Sequence, residues 1–219
     1  SLVASGGEML CFATVRERLF AGKATMARCY IGVWRRDKDS GSWTEQEMEW
    51  VGDADDDGHL YAQPMATELR GERIVLSAQR VEKPDERYPS RFNPRTQGLA
   101  PTEVVWMVSE DQGRTWTPPS VPRFEGAGKI DANCNLLELK NGNWFWPYER
   151  WKAWDDDAPL HIKGFGLLST DRGKSWKKAV DFPSSNDSER IYSHTKYAGK
   201  KDGRVCALQW TTRPGMIED

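Results

Sequence analysis

Residues 109–116 read SEDQGRTW and residues 169–176 read STDRGKSW. The shared pattern is Ser-x-Asp-x-Gly-x-Thr/Ser-Trp, written twice 60 residues apart. Each copy follows an apolar run, VVWMV (104–108) and GFGLL (164–168). The Asp side chain can accept hydrogen bonds from turn amides, and the Gly can take a positive φ. The pattern therefore predicts a tight turn between two strands, with Thr or Ser and then Trp opening the second strand. A worn third copy is RRDKDSGSW (35–43), one residue shorter between Gly and Trp. The boxes Ser109, Asp111, Gly113, Trp116 and Ser169, Asp171, Gly173, Trp176 are expected to be structural.

The repeat extends beyond the boxes. ATELRGERIVLSAQR (66–80) aligns with LLELKNGNWFWPYER (136–150) at an offset of 70, so Arg80 falls on Arg150. The second unit consequently has a loop ten residues longer, VEKPDERYPSRFNPRTQGLAPT (81–102). GGEMLCFATVR (6–16) and DGRVCALQWTTR (202–213) repeat the same hairpin. Short runs rich in β-branched and aromatic residues, separated by Gly, Pro, Asn and Asp, predict an all-β chain. Repetition of four short strands every 60 to 70 residues predicts a β-propeller of four-stranded antiparallel blades in a single domain, 1–219. The blades are expected at about 1–50, 58–120 and 130–182, with a partial one at 189–219. Three and a half blades do not close a ring of the usual four to eight, so the missing blades are expected from the rest of a longer chain, or from another subunit.

A four-stranded meander fixes which ends are neighbours. First-strand starts, second-strand ends and the 2–3 loops share one end, and the boxes occupy the other. At the first end, period-two spacing selects His59, Tyr61 and Gln63, then Asp131, Asn133 and Asn135, then Arg190, Tyr192 and His194. Second-strand ends add Arg16, Gln79, Arg80, Tyr148, Glu149 and Arg150. Guanidinium forks suit a carboxylate ligand. Glu149 and the acids of WDDDAP (Asp155, Asp156 and Asp157) are candidates for a general acid and base. Trp151 and Trp154, read as loop residues, are candidates for stacking on a sugar ring.

Composition excludes several classes. Net charge is −2, so there is no basic footprint for nucleic acid, and no apolar run approaches the ~18 residues of a membrane span. Cys11, Cys29, Cys134 and Cys206 follow no CxxC spacing and read as buried free thiols, with disulfides as the alternative in an oxidising compartment. DADDDGH (53–59) opens like an EF-hand loop, but its twelfth position is Pro64. No metal or cofactor is assigned. The chain opens at Ser1 without Met, and its compartment is unreadable.

Together, the boxes, SLVAS (1–5), GEMLCFATVR (7–16), VWRRDKDSGSW (33–43) and DGHLYAQPM (57–65) resemble the sialidase (neuraminidase) superfamily and its Asp-box, or BNR, repeats. The resemblance covers nearly the whole chain. It implies a ring of about six blades when complete. It also implies hydrolysis of terminal acidic sugars by three substrate-binding arginines, an Asp acid/base and a Tyr–Glu pair. Carried onto this sequence, the Glu of that pair falls near Tyr192, with Glu189 the nearest carboxylate, and the second arginine falls at Arg213. The acid/base loop corresponds to 16–29, which contains no Asp; the first arginine would precede Ser1, and the Tyr and third arginine would follow Asp219. WFWPYERWKAWDDDAP (144–159) is similar to a stretch of bacterial sialidase-like proteins and points to Glu149 as a rim carboxylate. The expected function is a sialidase-like exo-glycosidase. The alternatives are a non-catalytic propeller that binds glycan or protein, and a polysaccharide lyase using His194 and Tyr192.

Overall fold

A computed structural model describes residues 1–18, 26–46, 59–82, 85–125, 129–130, 134–182, 191–200 and 202–212. Among them there are strands and turns and no helix. Sheet I is β1 (Leu2–Ser5), β2 (Glu8–Arg18), β3 (Met26–Arg36) and β4 (Trp43–Gln46), in that order. Sheet II is β5 (His59–Glu68), β6 (Ile74–Glu82) and β7 (Thr102–Ser109). Sheet III contains β8 (Lys129–Ile130), β9 (Leu137–Glu138), β10 (Trp144–Trp151), β11 (Lys163–Ser169) and β12 (Lys177–Asp181). Sheet IV is the hairpin β13 (Ile191–Gly199) and β14 (Val205–Thr212). The ladders within all but sheet II's last pair have defined registers, and those are antiparallel throughout. The all-β meander is thus as the sequence predicts.

The chain divides into two compact units. The first is Ser1–Lys83 with Glu103–Val121, and the second is Pro84–Thr102 with Pro122–Asp219. In the first unit, alternate residues of sheet I (Leu10, Phe12, Ile31, Val33) pack on alternate residues of sheet II (Ile74, Leu76, Ala78, Val105, Met107). This is the period-two pattern with both faces of the interface apolar. In the second unit, sheet III has an aromatic layer on each face. Trp146 and Tyr148 pack with Phe124, Phe165 and Trp176 on one side. Phe145 packs with Cys134, Tyr197 and Phe182 on the other.

Two sheets depart from the expected four-stranded pattern. In sheet II the fourth strand shrinks to a single bridge, Trp106 with Ser120. The residues after Trp116 are Thr117, Pro118 and Pro119, and proline has no amide to give to a ladder. In sheet III the first strand is split into β8 and β9, both of which pair with β10. Cys11, Cys134 and Cys206 are free thiols, and Cys206 is exposed rather than buried because it lies on β14, which pairs only with β13 and is exposed along most of its length.

The two boxes are built alike. Ser109 Oγ donates to Asp111 Oδ1 (2.8 Å) and accepts from the Gly113 amide (2.6 Å). Asp111 in turn accepts from the Thr115 amide (2.8 Å) and hydroxyl (2.7 Å). The second box repeats this with Ser169, Asp171, Gly173 and Ser175. Gly113 and Gly173 sit at φ 79° and 84°, the left-handed region the turn requires. Trp176 is buried and donates to the Gly173 carbonyl (3.1 Å), and Trp116 meets Phe12 edge-on at 5.8 Å. In the worn copy Asp37 takes the amides of Asp39 and Ser40, but its Trp43 is 45% exposed. Its Gly–Trp step is one residue shorter than in the boxes and its Asp–Trp span one longer, so the tryptophan does not reach the box position.

These bonds hold both box carboxylates well below the usual range. For Asp171 the Ser175 hydroxyl and amide, then the Ser169 hydroxyl, bring the pKa down to about 2. For Asp111 partial burial works in the opposite direction, and the Thr115 amide and hydroxyl with Ser109 outweigh it, again to about 2. A carboxylate depressed in the folded state stabilises the protein above its unfolded pKa, near 3.8, and that contribution is lost as pH falls through about 2. Urea midpoints should therefore drop between about pH 4 and pH 2, and the double variant Asp111→Asn, Asp171→Asn should flatten that drop. Ser109→Ala, which leaves a buried turn amide without its acceptor, should cost about 1–3 kcal/mol in chemical denaturation.

Candidate functional site

Within each unit the box and the arginine lie at opposite ends of a sheet. In sheet II, Arg73 and Glu110 pair at 2.8 Å, which puts the β5–β6 turn beside the box. Arg80 lies opposite Tyr61 at the other end. In sheet III, Trp144 lies opposite Ser169 beside the box, and Arg150 opposite Lys163 and Ile130 at the far end. Arg80 binds Glu103 through Nη2 at 2.6 Å. Its partial burial works against the charge, but Glu103 and then Tyr61 more than offset this and raise its pKa.

The first strands are irregular at the arginine end. The β5–β6 register jumps between Ala62 and Met65, so Gln63 and Pro64 bulge, with Gln63 at φ 51°. The β13–β14 register jumps between Ser193 and Lys196, so His194 and Thr195 bulge. The segments YAQPM and YSHTK align position for position, sharing only the tyrosine: Tyr61 with Tyr192, Gln63 with His194. Bulges of this kind re-aim side chains and are enriched at barrel rims and beside active sites.

A bulge frees an amide that needs another acceptor. In both units the second strand of the preceding sheet supplies one. Thr14 Oγ1 on β2 accepts from the Gln63 amide at 3.0 Å. Glu149 Oε1 on β10 accepts from the Thr195 amide at 2.9 Å and the Thr195 hydroxyl at 2.5 Å. Pro64 has no amide, which is why the clasp in sheet II takes the residue before it. Gln79 occupies the equivalent position on β6 and is fully buried.

The expected site residues separate accordingly. Glu149 is 1% exposed and turned into the sheet III–sheet IV interface, a geometry that positions β13 rather than presenting a carboxylate to solvent. Tyr192 is half-buried on β13 opposite Thr211. Deeper on the same strand, burial pushes the Tyr197 phenol well above its ordinary pKa. Asp156 is exposed, and its Oδ1 accepts from the Ala158 amide at 2.9 Å. Arg16 and His194 are placed by backbone alone, Arg16 opposite Cys29 and His194 in the bulge. Asn133, Glu189 and Arg213 lie outside the described residues.

Trp151 needs a correction. It is not in a loop but is the last residue of β10, 8% exposed, because the strand runs one residue further than the alternation suggests. Its Nε1 donates to the Gln97 carbonyl at 2.7 Å. Trp154 is a loop residue, half-buried and edge-on to Tyr88 at 5.4 Å.

These contacts dock the long insertion on the connection after β10. The Trp154 carbonyl accepts from Asn93 Nδ2 (3.0 Å) and Thr96 Oγ1 (2.5 Å), the Leu99 amide donates to the Lys152 carbonyl (3.0 Å), and Arg95 pairs with Asp157 (2.5 Å). Gly98 lies so close that a Cβ there would be 2.0 Å from the Ala153 carbonyl oxygen. A cavity of about 480 Å³ remains between Phe92, Trp151 and Leu160. Sequence reading flagged the insertion by its length alone; its partners are distant in the chain and carry no local signature.

Two outcomes follow. Glu149→Ala should cost about 2–4 kcal/mol in urea denaturation, since it removes an acceptor and leaves a cavity, whereas Glu149→Gln keeps an acceptor oxygen and should lose much less. Gly98→Ala should undock the insertion and speed limited proteolysis within 85–101, with a fragment pattern readable by mass spectrometry; unchanged cleavage would contradict the close approach.

No protein-family model matches the chain, and no curated protein matches it either. Solved structures do. A protein of unknown function from Dyadobacter fermentans superposes with a TM-score of 0.70 at 15% identity, covering 99% of this chain and 62% of that one. A Hadza microbial sialidase gives 0.66 at 15% identity, covering 97% and 43%. The α-L-arabinofuranosidase of Lactobacillus brevis gives 0.59 at 13% identity, covering 100% and 66%. At these identities the likeness is one of fold, and the chain spans less than two thirds of the length of the first two structures.

Proposed function

We propose that the chain is part of a sialidase-like β-propeller glycoside hydrolase that removes terminal acidic sugars from glycans. The observation that carries this reading is the clasped bulge. Twice, the first strand is bent at the end away from the box, at Gln63 and at His194, with Tyr61 or Tyr192 two residues before. Bulges are over-represented at the rims of sheets and beside active sites, which supports placing the ligand contacts at this end.

In this reading Arg80, Arg150, Arg16 and Arg213 supply forks for the sugar carboxylate, and Gln63, Asn133 and His194 hydrogen-bond its hydroxyls. A tyrosine with Glu189 as its base attacks the anomeric carbon, and Tyr192 contacts the reacting sugar. Asp156 protonates the departing oxygen and then activates water, returning the enzyme to its starting state. Glu149 acts through Thr195, fixing the strand that carries Tyr192 and His194. The structural likeness to a sialidase and an arabinofuranosidase supports a sugar as ligand.

The test is turnover of fluorogenic sialosides and uronides by the full-length protein. Tyr192→Phe should lower kcat/KM by roughly 10²–10⁴-fold, the range of a lost catalytic group, while Asp111→Asn leaves it near the parent value. A folded protein with no turnover on any acidic glycoside sinks the hydrolase reading. The burial of Glu149 favours a second reading, a glycan-binding propeller without catalysis. Binding on a glycan array with no product released, unchanged by Tyr192→Phe, would establish that one.

A further inference from the structure

We infer that the cavity between the 85–101 insertion and the end of β10 is an accessory site for a neutral sugar ring, held by the side-chain amide of Gln97 and an apolar wall. It is formed within the second unit, by the loop after β6 and the connection after β10, and none of its described lining residues lies on the bulged strands β5 and β13. Its volume, about 480 Å³, is within the range of small-ligand pockets, roughly 300–1,000 Å³.

Most polar groups of the lining are already taken up. Arg91 is the charged residue among them, and its guanidinium is engaged, 5.2 Å from the centroid of the Phe92 ring. Asn93 serves the loop itself: Oδ1 accepts from the Arg95 amide at 2.9 Å, and Nδ2 donates to the Trp154 carbonyl at 3.0 Å. Ser90 Oγ donates to the Phe92 carbonyl at 2.6 Å. Gln97 differs. Its backbone is committed, with the amide donating to the Asn93 carbonyl (2.8 Å) and the carbonyl accepting from Trp151 Nε1 (2.7 Å). Its side-chain amide is exposed and has no hydrogen-bond partner among the described residues. Moreover, its φ is 61°, in the left-handed region that glycine takes without strain. Glutamine at such a position keeps an amide there against a conformational cost, and strained residues of this kind cluster at ligand clamps.

The apolar wall is formed by Phe92, Trp151 and Leu160. Phe92 stands 5.5 Å from the Trp151 ring and remains 37% exposed. A ligand matching this lining has an apolar face for the wall and uncharged groups for the amide, which offers both donors and an acceptor. A pyranose has both, a C–H face and a rim of hydroxyls. A hydrocarbon leaves the amide unmet, and an open-chain polyol brings no rigid apolar face. The choice of a sugar rests on the function proposed above, whereas the demand for an apolar face edged by uncharged polar groups rests on the cavity alone.

Isothermal titration of the full-length protein with methyl β-D-glucopyranoside, methyl β-D-galactopyranoside and methyl β-D-glucuronide tests this. At least one of the two neutral glycosides should bind. Gln97→Gly should weaken that binding about tenfold, the worth of one hydrogen bond, and leave the melting temperature unchanged or raised, because glycine relieves the backbone. Phe92→Ala should weaken it to a similar extent, and Tyr192→Phe, at the rim, should leave it as it was. The bound glycoside should also slow limited proteolysis within 85–101. Glucuronide binding, where it occurs, should be indifferent to Gln97→Gly. No binding of either neutral glycoside, binding insensitive to Gln97→Gly, or glucuronide binding that Gln97→Gly weakens equally overturns the inference. Absence of glycoside turnover with the neutral glycoside still bound overturns only the hydrolase reading.

Discussion

Every backbone amide removed from a ladder and from water has to find an acceptor, and this chain meets that demand with side chains set at fixed points of a repeat. Asp111 and Asp171 serve the turn amides at one end of their sheets. Thr14 and Glu149 serve the bulge amides of the next sheet at the other end. Trp154 and Lys152 carbonyls serve the insertion. Apolar packing supplies most of the stabilisation, through Phe12, Leu76 and Met107 in one unit and Trp146 and Phe165 in the other. Yet packing alone is indifferent to a slip of two residues along a strand. The polar clasps are not, and they fix where each sheet bends and where it turns.

The division of labour between ends follows from this. The box is a closed system in which Ser, Asp, Gly and Ser or Thr satisfy one another, and little remains to bind anything else. Sheet I adds to that closure, since Gln46 donates to the Gly113 carbonyl at 2.8 Å and Arg35 to the Gln112 carbonyl at 3.0 Å. At the opposite end the bends are held from behind, by groups buried in the sheet interface. The proposed function puts the ligand at that bulged end. A site of this type has its support and its chemistry on different strands, which suits precision of placement.

How much could be read from sequence tracks how local each feature is. The boxes were fully legible because all their bonds close within seven residues, from Ser109 to Thr115. The end on which Arg80 and Arg150 lie was legible too, since antiparallel order decides it without any knowledge of packing. Gln63 and His194 could be picked by alternation, but not the bulges themselves, because a register jump is a property of two strands. Thr14, Thr195 and the buried role of Glu149 were invisible for the same reason: Glu149 meets Thr195 across 46 residues of chain. Trp151 was misplaced by a margin of one residue at a strand end, where local propensity says least. The prolines after Trp116 were in plain view, and they erased a strand that the repeat alone predicts.

The clasp across sheets has an evolutionary consequence. A carboxylate buried at position 149 is tolerable only while position 195 offers it donors, and a bulge at 195 is tolerable only while 149 accepts. Neither residue is free to drift alone. Among relatives of this chain the two positions should change as a pair, so that a shift at the bulged end of one sheet is written into the history of the sheet before it.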